Sequence, residues 1–242
     1  MKDSTRQIHL DETWPGRSRA QVISLDDTGT FLRLVERLEV APAVSSLPKR
    51  ALDVTLSLLL LILVSPILGL TMLLIRLTSR GPAVFVQQRI GYQGRQFSMY
   101  KLRTMRQGAE REENDLAACL ADRTFLKIEN DHRVTWLGRL LRKWSVDELP
   151  QLVNVLKGEM SLVGPRPLLL CDFRKFPRRE QLRRFSVKPG ITGLWQVSGR
   201  SALPDSERMR LDLDYVDHWS FGLDLGILAR TLPVVLSARG AN

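Results

Sequence analysis

The chain has 242 residues, 44% hydrophobic and 26% charged, with 36 Lys/Arg against 26 Asp/Glu and a net charge of +10. This is ordinary for one folded domain and argues against a fully embedded protein. Cys119 and Cys171 stand far apart, as in a reducing cytoplasm, and His9, His132 and His218 are scattered, so the zinc-ligand spacings are excluded.

Residues 1–48 carry six Lys/Arg and seven Asp/Glu, so the whole positive excess lies beyond them. Such a surface attracts anionic lipid head groups, nucleotide diphosphates or nucleic acid. Ser, Thr, Asp, Pro, Gly and Arg mix in these first 48 residues with few sustained apolar patterns, so they read as a poorly ordered leader with a short helix around Thr30–Val40.

From Val54 to Ile75 the chain carries no charge over 22 residues, enough for a helix to cross a bilayer. Two features argue against a simple crossing. Pro66, after Ser65, removes a backbone donor and crowds the Ile62 carbonyl, which predicts a break near the midpoint. Lys49 and Arg50 precede the run and Arg76, Arg80, Arg89 and Arg95 follow it, so both ends favour the cytoplasmic side. A re-entrant helix-break-helix satisfies both signals, with Ser65 or its neighbours meeting the freed carbonyls. A straight span with a proline kink is the alternative. A secretory signal is disfavoured, because the run is too long and no small-residue cleavage site follows.

Beyond the run, Ala83–Val86 and Phe97–Leu102 read as strands around Gly91-Tyr92-Gln93-Gly94, a β-hairpin. Residues 106–122 read as a charged helix. A second helical pattern puts Leu137, Leu140, Leu141 and Trp144 on one face beside Arg139, Arg142 and Lys143. With Trp136 this suits a helix lying among lipid head groups, though tryptophan in a core fits as well. Phe221–Leu236 is interrupted by Asp224, Arg230 and Pro233, so it reads as an interfacial or core helix and not a span.

The chemistry is most concentrated at Ser145-Val146-Asp147-Glu148-Leu149-Pro150. Adjacent carboxylates beside Arg142 and Lys143 allow one acid to be ionised and nucleophilic while its neighbour holds a proton or a metal-bound phosphate. Ser145-x-x-Glu148 is equally a capping box, which needs no chemistry. Downstream, Gly164-Pro165-Arg166-Pro167 is a turn that would hold one arginine rigidly for bidentate phosphate recognition.

These blocks together resemble the bacterial sugar transferases, the monotopic polyprenyl-phosphate phosphoglycosyl transferases. The resemblance runs from Lys49 to the C-terminus. It rests on Lys49-Arg50-Ala51-Leu52-Asp53, Ser65-Pro66, Tyr100-Lys101-Leu102-Arg103-Thr104-Met105 and Ser145 to Pro167, then on Lys188 to Arg200 and Leu211-Asp212-Leu213-Asp214-Tyr215-Val216. The single apolar run is similar to the short branch without a four-helix membrane domain, and the ending Val235–Gly240 is similar to exopolysaccharide-initiating members.

The resemblance implies an α+β fold: a monotopic membrane protein with a re-entrant helix over 50–77, a small β-hairpin and amphipathic interfacial helices, the transferase domain covering 49–242. It implies transfer of a sugar 1-phosphate from a UDP-sugar, with galactose or glucose favoured, to undecaprenyl phosphate at the cytoplasmic face of the bacterial inner membrane. UMP leaves and Mg²⁺ is required. In that scheme Asp147 is the nucleophile and the metal-side acid, kept ionised by Arg142, and Glu148 assists. Arg142, Arg166 and Arg200 match phosphate-binding positions, and Asp212 matches an acid near the site. The rivals are an inactive membrane scaffold for polysaccharide assembly and a tethered nucleic-acid binder. No helix-turn-helix or aromatic platform supports the binder, and neither G-x-x-x-x-G-K-[ST] nor G-x-G-x-x-G occurs. A homodimer is left open.

Overall fold

The computed structural model describes residues 46–109, 131–169 and 179–237. The expected helix around Thr30–Val40, and nearly all of the one over 106–122, lie outside these residues.

Ser46 Oγ accepts the Lys49 amide at 3.4 Å, and Pro48 sits in the first turn, where its missing N–H has no intrahelical partner to lose. Helix α1 starts there and runs over Leu47–Thr78. Within the described residues it alone is long and apolar enough to cross a membrane. The two half-helices expected around Ser65-Pro66 are instead one continuous element with Pro66 inside it. Proline leaves the Ile62 carbonyl without its usual donor, and the Ser65 hydroxyl donates to that oxygen at 2.8 Å.

Both ends of α1 are fastened to the folded domain. Near its start, Lys49 Nζ reaches Asp224 Oδ2 at 2.6 Å, Val163 O at 3.2 Å and Tyr215 Oη at 3.3 Å. One turn on, Asp53 Oδ1 accepts from the Leu162 amide at 3.0 Å and from Ser161 Oγ at 3.1 Å. Towards the other end, Leu68 and Ile75 are buried with Ala83, Leu102, Leu137 and Leu141. Beyond them Arg103 Nη2 donates to Ser79 Oγ at 2.7 Å and to its carbonyl at 2.9 Å. Leu58, Leu59, Ile62, Leu63, Ile67, Leu70 and Leu73, between and beside these anchors, stand exposed.

The hairpin forms as read: β1, Val84–Ile90, pairs antiparallel with β2, Gln96–Leu102, from Val84↔Leu102 to Ile90↔Gln96. Its turn is a short 3₁₀ element, Tyr92–Gly94, with Gln93 at φ 52°. Along β2, Phe97 and Met99 point into the core and Lys101 follows on the same side.

Helix α2, Trp136–Lys143, docks on the chain leaving β2. Its cap Thr135 donates twice to the Thr104 carbonyl, from its amide at 3.0 Å and its hydroxyl at 3.2 Å. A side chain at Gly138 would overlap that carbonyl, so only glycine permits the approach. The expected single apolar face is divided. Leu137 and Leu141 are buried, whereas Trp136, Leu140 and Trp144 form an exposed row at helical spacing beside Arg139 and Lys143.

Helix α3, Gln151–Lys157, packs on both α1 and β2. Its fully buried Asn154 locks it to β2, accepting from the Tyr100 amide at 3.2 Å and donating to the Ser98 carbonyl at 2.7 Å. After it, β3, Ser161–Val163, pairs in parallel with β4, Gly190–Thr192. A Cβ on Gly190 would strike the Gly164 amide, so the two backbones touch. Three α-helices follow among the described residues: α4 (Leu194–Val197), α5 (Asp205–Asp217) and α6 (Phe221–Leu236). The main core gathers Phe97, Met99, Leu152, Val155, Met160, Leu162, Tyr215 and Ile227. Phe221, Leu225 and Leu232 leave α6 with an exposed apolar side.

Candidate active site

Ser145, which caps the turn after α2, sits in the left-handed region at φ 55°, an uncommon conformation for a residue with a side chain. It swings the chain into a 3₁₀ turn, Val146–Glu148, that carries both acids. Pro150 then separates this turn from α3, so the acids are not part of the longer helix. The capping box does not form. Ser145 makes no side-chain cap; its hydroxyl accepts instead from Arg200 Nη2 at 3.3 Å.

Glu148 lies between two cations. Its Oε1 accepts from Lys101 Nζ at 2.9 Å and from Arg166 Nη2 at 3.1 Å. Burial works to raise its carboxyl, but the charges and hydrogen bonds of Lys101 and Arg166 outweigh it and hold Glu148 well below the usual carboxylate range. Burial pulls the Lys101 ammonium down, and the Glu148 charge opposes that pull.

Asp147 behaves oppositely. It is buried, and burial, reinforced by the Glu148 charge, pushes its carboxyl up against the opposing charges of Lys101, Arg142 and Arg166. Arg142 acts in the expected direction, lowering the Asp147 carboxyl, while burial and the Glu148 charge raise it overall. Its Nε is engaged by Thr104 Oγ1 at 2.9 Å. Among the described residues no side chain hydrogen-bonds the Asp147 carboxylate, and Glu148 Oε2 is likewise left open.

Arg166 is fixed from behind. Buried Arg184 Nη2 donates to the Arg166 carbonyl at 2.7 Å and to Asp212 Oδ2 at 2.7 Å. Burial raises the Asp212 carboxyl to about 6 despite this ion pair. Asp212 thus stands one side chain behind Arg166 and does not meet the acid pair directly. Arg200, at φ 52°, feels the Glu148 charge, and Arg208, which lies 5.4 Å over the Trp195 ring, feels the Arg166 charge.

Of the residues proposed from sequence, Asp147, Glu148, Arg142, Arg166 and Arg200 therefore gather at one place. Ser65 and Pro66 lie apart in α1. Lys101, Arg184 and Arg208 join the site without having been singled out. Lys101 had a signal: it continues the inward row Phe97, Met99, where a lysine needs a buried partner. Arg184 and Arg208 arrive through tertiary contacts that no local pattern announces.

A hollow at the start of α1, between Lys49, Arg50, Asp53 and Lys188, is distinct from this site. Its one carboxylate is already bonded to Ser161 and Leu162.

No group of three or more His, Cys, Asp or Glu side chains capable of holding a metal occurs among the described residues. Two carboxylates with open oxygens amid cations still fit Mg²⁺, which takes one or two protein carboxylates and fills its shell with water and substrate phosphate.

An acid pair ringed by lysine and arginine, on a domain fastened to an apolar helix, is a site suited to phosphorylated substrates. Residues 44–238 match the profile of the bacterial sugar transferases, and the chain belongs to that family. It is 48% identical over 164 residues to the galactosyl transferase CpsE of Streptococcus agalactiae serotype III, covering 67% of this chain but 36% of that protein. It is 38% identical over 203 residues to the exopolysaccharide production protein ExoY of Sinorhizobium fredii, covering 82% of this chain and 89% of that one. With the UDP-glucose:undecaprenyl-phosphate glucose-1-phosphate transferase of Caulobacter vibrioides it shares 44% identity over 202 residues, covering 81% and 72%.

Proposed function

We propose that this protein transfers a hexose 1-phosphate from UDP-hexose to undecaprenyl phosphate, releasing UMP, in two displacements at Asp147. The observation that carries the reading is the divided acid pair. Glu148 is held low by Lys101 and Arg166, while Asp147 is raised by burial and, among the described residues, accepts no side-chain hydrogen bond. The more basic carboxylate, once ionised, is the better nucleophile.

In the first displacement an Asp147 carboxylate oxygen attacks the β-phosphorus. The bond from that phosphorus to the bridging oxygen breaks, and UMP leaves with the electron pair. In the second, an oxygen of the lipid phosphate attacks the same phosphorus and the aspartyl oxygen departs, giving the diphosphate-linked lipid sugar. Arg166, Arg200 and Arg142 balance the diphosphate charge, and Glu148 positions the phosphoryl group or accepts a proton from a reactant. Asp147 with substrate phosphate oxygens would hold Mg²⁺, which supplies charge neutralisation at the diphosphate.

A panel of UDP-sugars with Mg²⁺ and undecaprenyl phosphate tests this. UMP should appear with UDP-galactose or UDP-glucose, in line with relatives named for galactosyl and glucose-1-phosphate transfer. No UMP from any donor rejects the reaction; UMP from N-acetylated donors alone rejects the hexose assignment.

The same reading places the protein at the cytoplasmic face of the inner membrane, with α1 re-entrant. A straight helix of this length extends roughly 48 Å, more than a bilayer core of roughly 30 Å. Both its ends are bonded to one domain, which favours a segment that dips into a leaflet over one that crosses. The exposed rows of α2 and α6 supply further interfacial contact. In a background lacking Cys119 and Cys171, Ser4→Cys and Ser237→Cys should both resist an impermeant thiol reagent added outside the inner membrane. Pro66→Leu should expose one of them in a fraction of molecules. Labelling of Ser4→Cys without that change would sink the re-entrant topology.

A further inference from the structure

We propose that Lys101 is a positioning residue for this reaction, holding Glu148 by Oε1 so that Oε2 stays available to the substrate while Arg166 turns to the diphosphate. The inference rests on the transfer reaction proposed above.

The two cations on Oε1 are not equivalent. Lys101 is carried by β2, whose register is fixed by the ladder pair with Phe85 and by Asn154 bonds to the backbone on either side of Met99. Its side chain is 16% exposed, against 31% for Arg166. Arg166 comes from the irregular segment after β3 and shares its surroundings with Arg200 and Arg208. An incoming diphosphate therefore draws on the more open arginine. Glu148 then loses one of its two donors and relies on the lysine behind it. Without Lys101, the acid would be free to rotate and compete with the diphosphate for Arg166. A neutral side chain there should leave ground-state binding largely intact and misplace the carboxylate during the chemical step.

The test uses the full-length protein in detergent or nanodiscs, with wild type assayed first. No UMP release by wild type defeats the reaction itself. With wild type active, Lys101→Met should lower kcat by about 100-fold and keep KM for the UDP-sugar within about threefold. Lys101→Arg, which restores the charge, should recover at least about tenfold of kcat. Wild-type kcat in Lys101→Met overturns the inference. So does a loss carried mainly by KM, or a Lys101→Arg variant as slow as Lys101→Met with unchanged melting. Should Lys101→Met fail to fold, Lys101→Gln carries the same comparison. Failure of all three to fold assigns the lysine to the scaffold and overturns the positioning role.

Discussion

Replacing Asp147 with asparagine should abolish UMP release, by on the order of 10⁴-fold or more as expected for a lost nucleophile, while leaving the fold unchanged. The substitution keeps the shape and removes the oxyanion. No side chain among the described residues hydrogen-bonds this carboxylate, and Ser145 at φ 55° makes no cap that an asparagine could replace. A purely structural aspartate would tolerate asparagine well, since the two are comparable at helix starts. Wild-type protein incubated with UDP-hexose and Mg²⁺, without lipid acceptor, should gain one hexose phosphate on the peptide containing Asp147. Near-normal turnover in the asparagine variant, or the adduct on another peptide, would reject the mechanism.

The largest expected loss of stability comes from Lys49→Met. The Lys49–Asp224 pair is buried, with side-chain exposures of 8% and 1%, and Asp224 also accepts from Tyr215 Oη at 2.8 Å and Trp219 Nε1 at 3.1 Å. Removing the lysine strands a buried carboxylate, which costs about 3–5 kcal/mol. For a domain of this size that corresponds to a drop in melting temperature of about 6–20 °C. Asp224→Asn in the Lys49→Met background should restore part of the loss, because the amide oxygen still accepts hydrogen bonds and no charge remains. Melting of Lys49→Met within about 2 °C of wild type, or no recovery in the double variant, would show that the charge pair is not what fastens α1.

The parts legible in the sequence were those set by local chemistry. The hairpin follows from two short apolar stretches around Gly91–Gly94, and the acid pair and Arg166 were visible as neighbours of Pro and Gly. The capping box at Ser145 failed because two cations claim the Glu148 carboxylate more strongly than a neutral backbone amide does. Helix α2 misled for a different reason. Periodicity assumes that water lies opposite the core, whereas Leu137 and Leu141 face protein and Trp136, Leu140 and Trp144 also form an apolar row. Strands β3 and β4 are three residues each and pair through the contact of Gly164 with Gly190, which no local pattern encodes. The proline in α1 marked a broken hydrogen bond correctly, but the serine before it mends the gap and the helix continues.

The bond between Lys49 and Asp224 joins residues 175 positions apart. At translation rates of about 5–20 residues per second, the ribosome takes about 10–35 s to make the aspartate after the lysine has been polymerised. Until Asp224 is made, the start of the apolar helix has only the earlier contacts with Ser161, Leu162 and Val163 to hold it, and Lys49 is without its carboxylate partner. Its long side chain can reach the head-group layer, so the unpaired ammonium need not enter the apolar phase. The latch between Lys49 and Asp224 therefore closes only once α6 has been made.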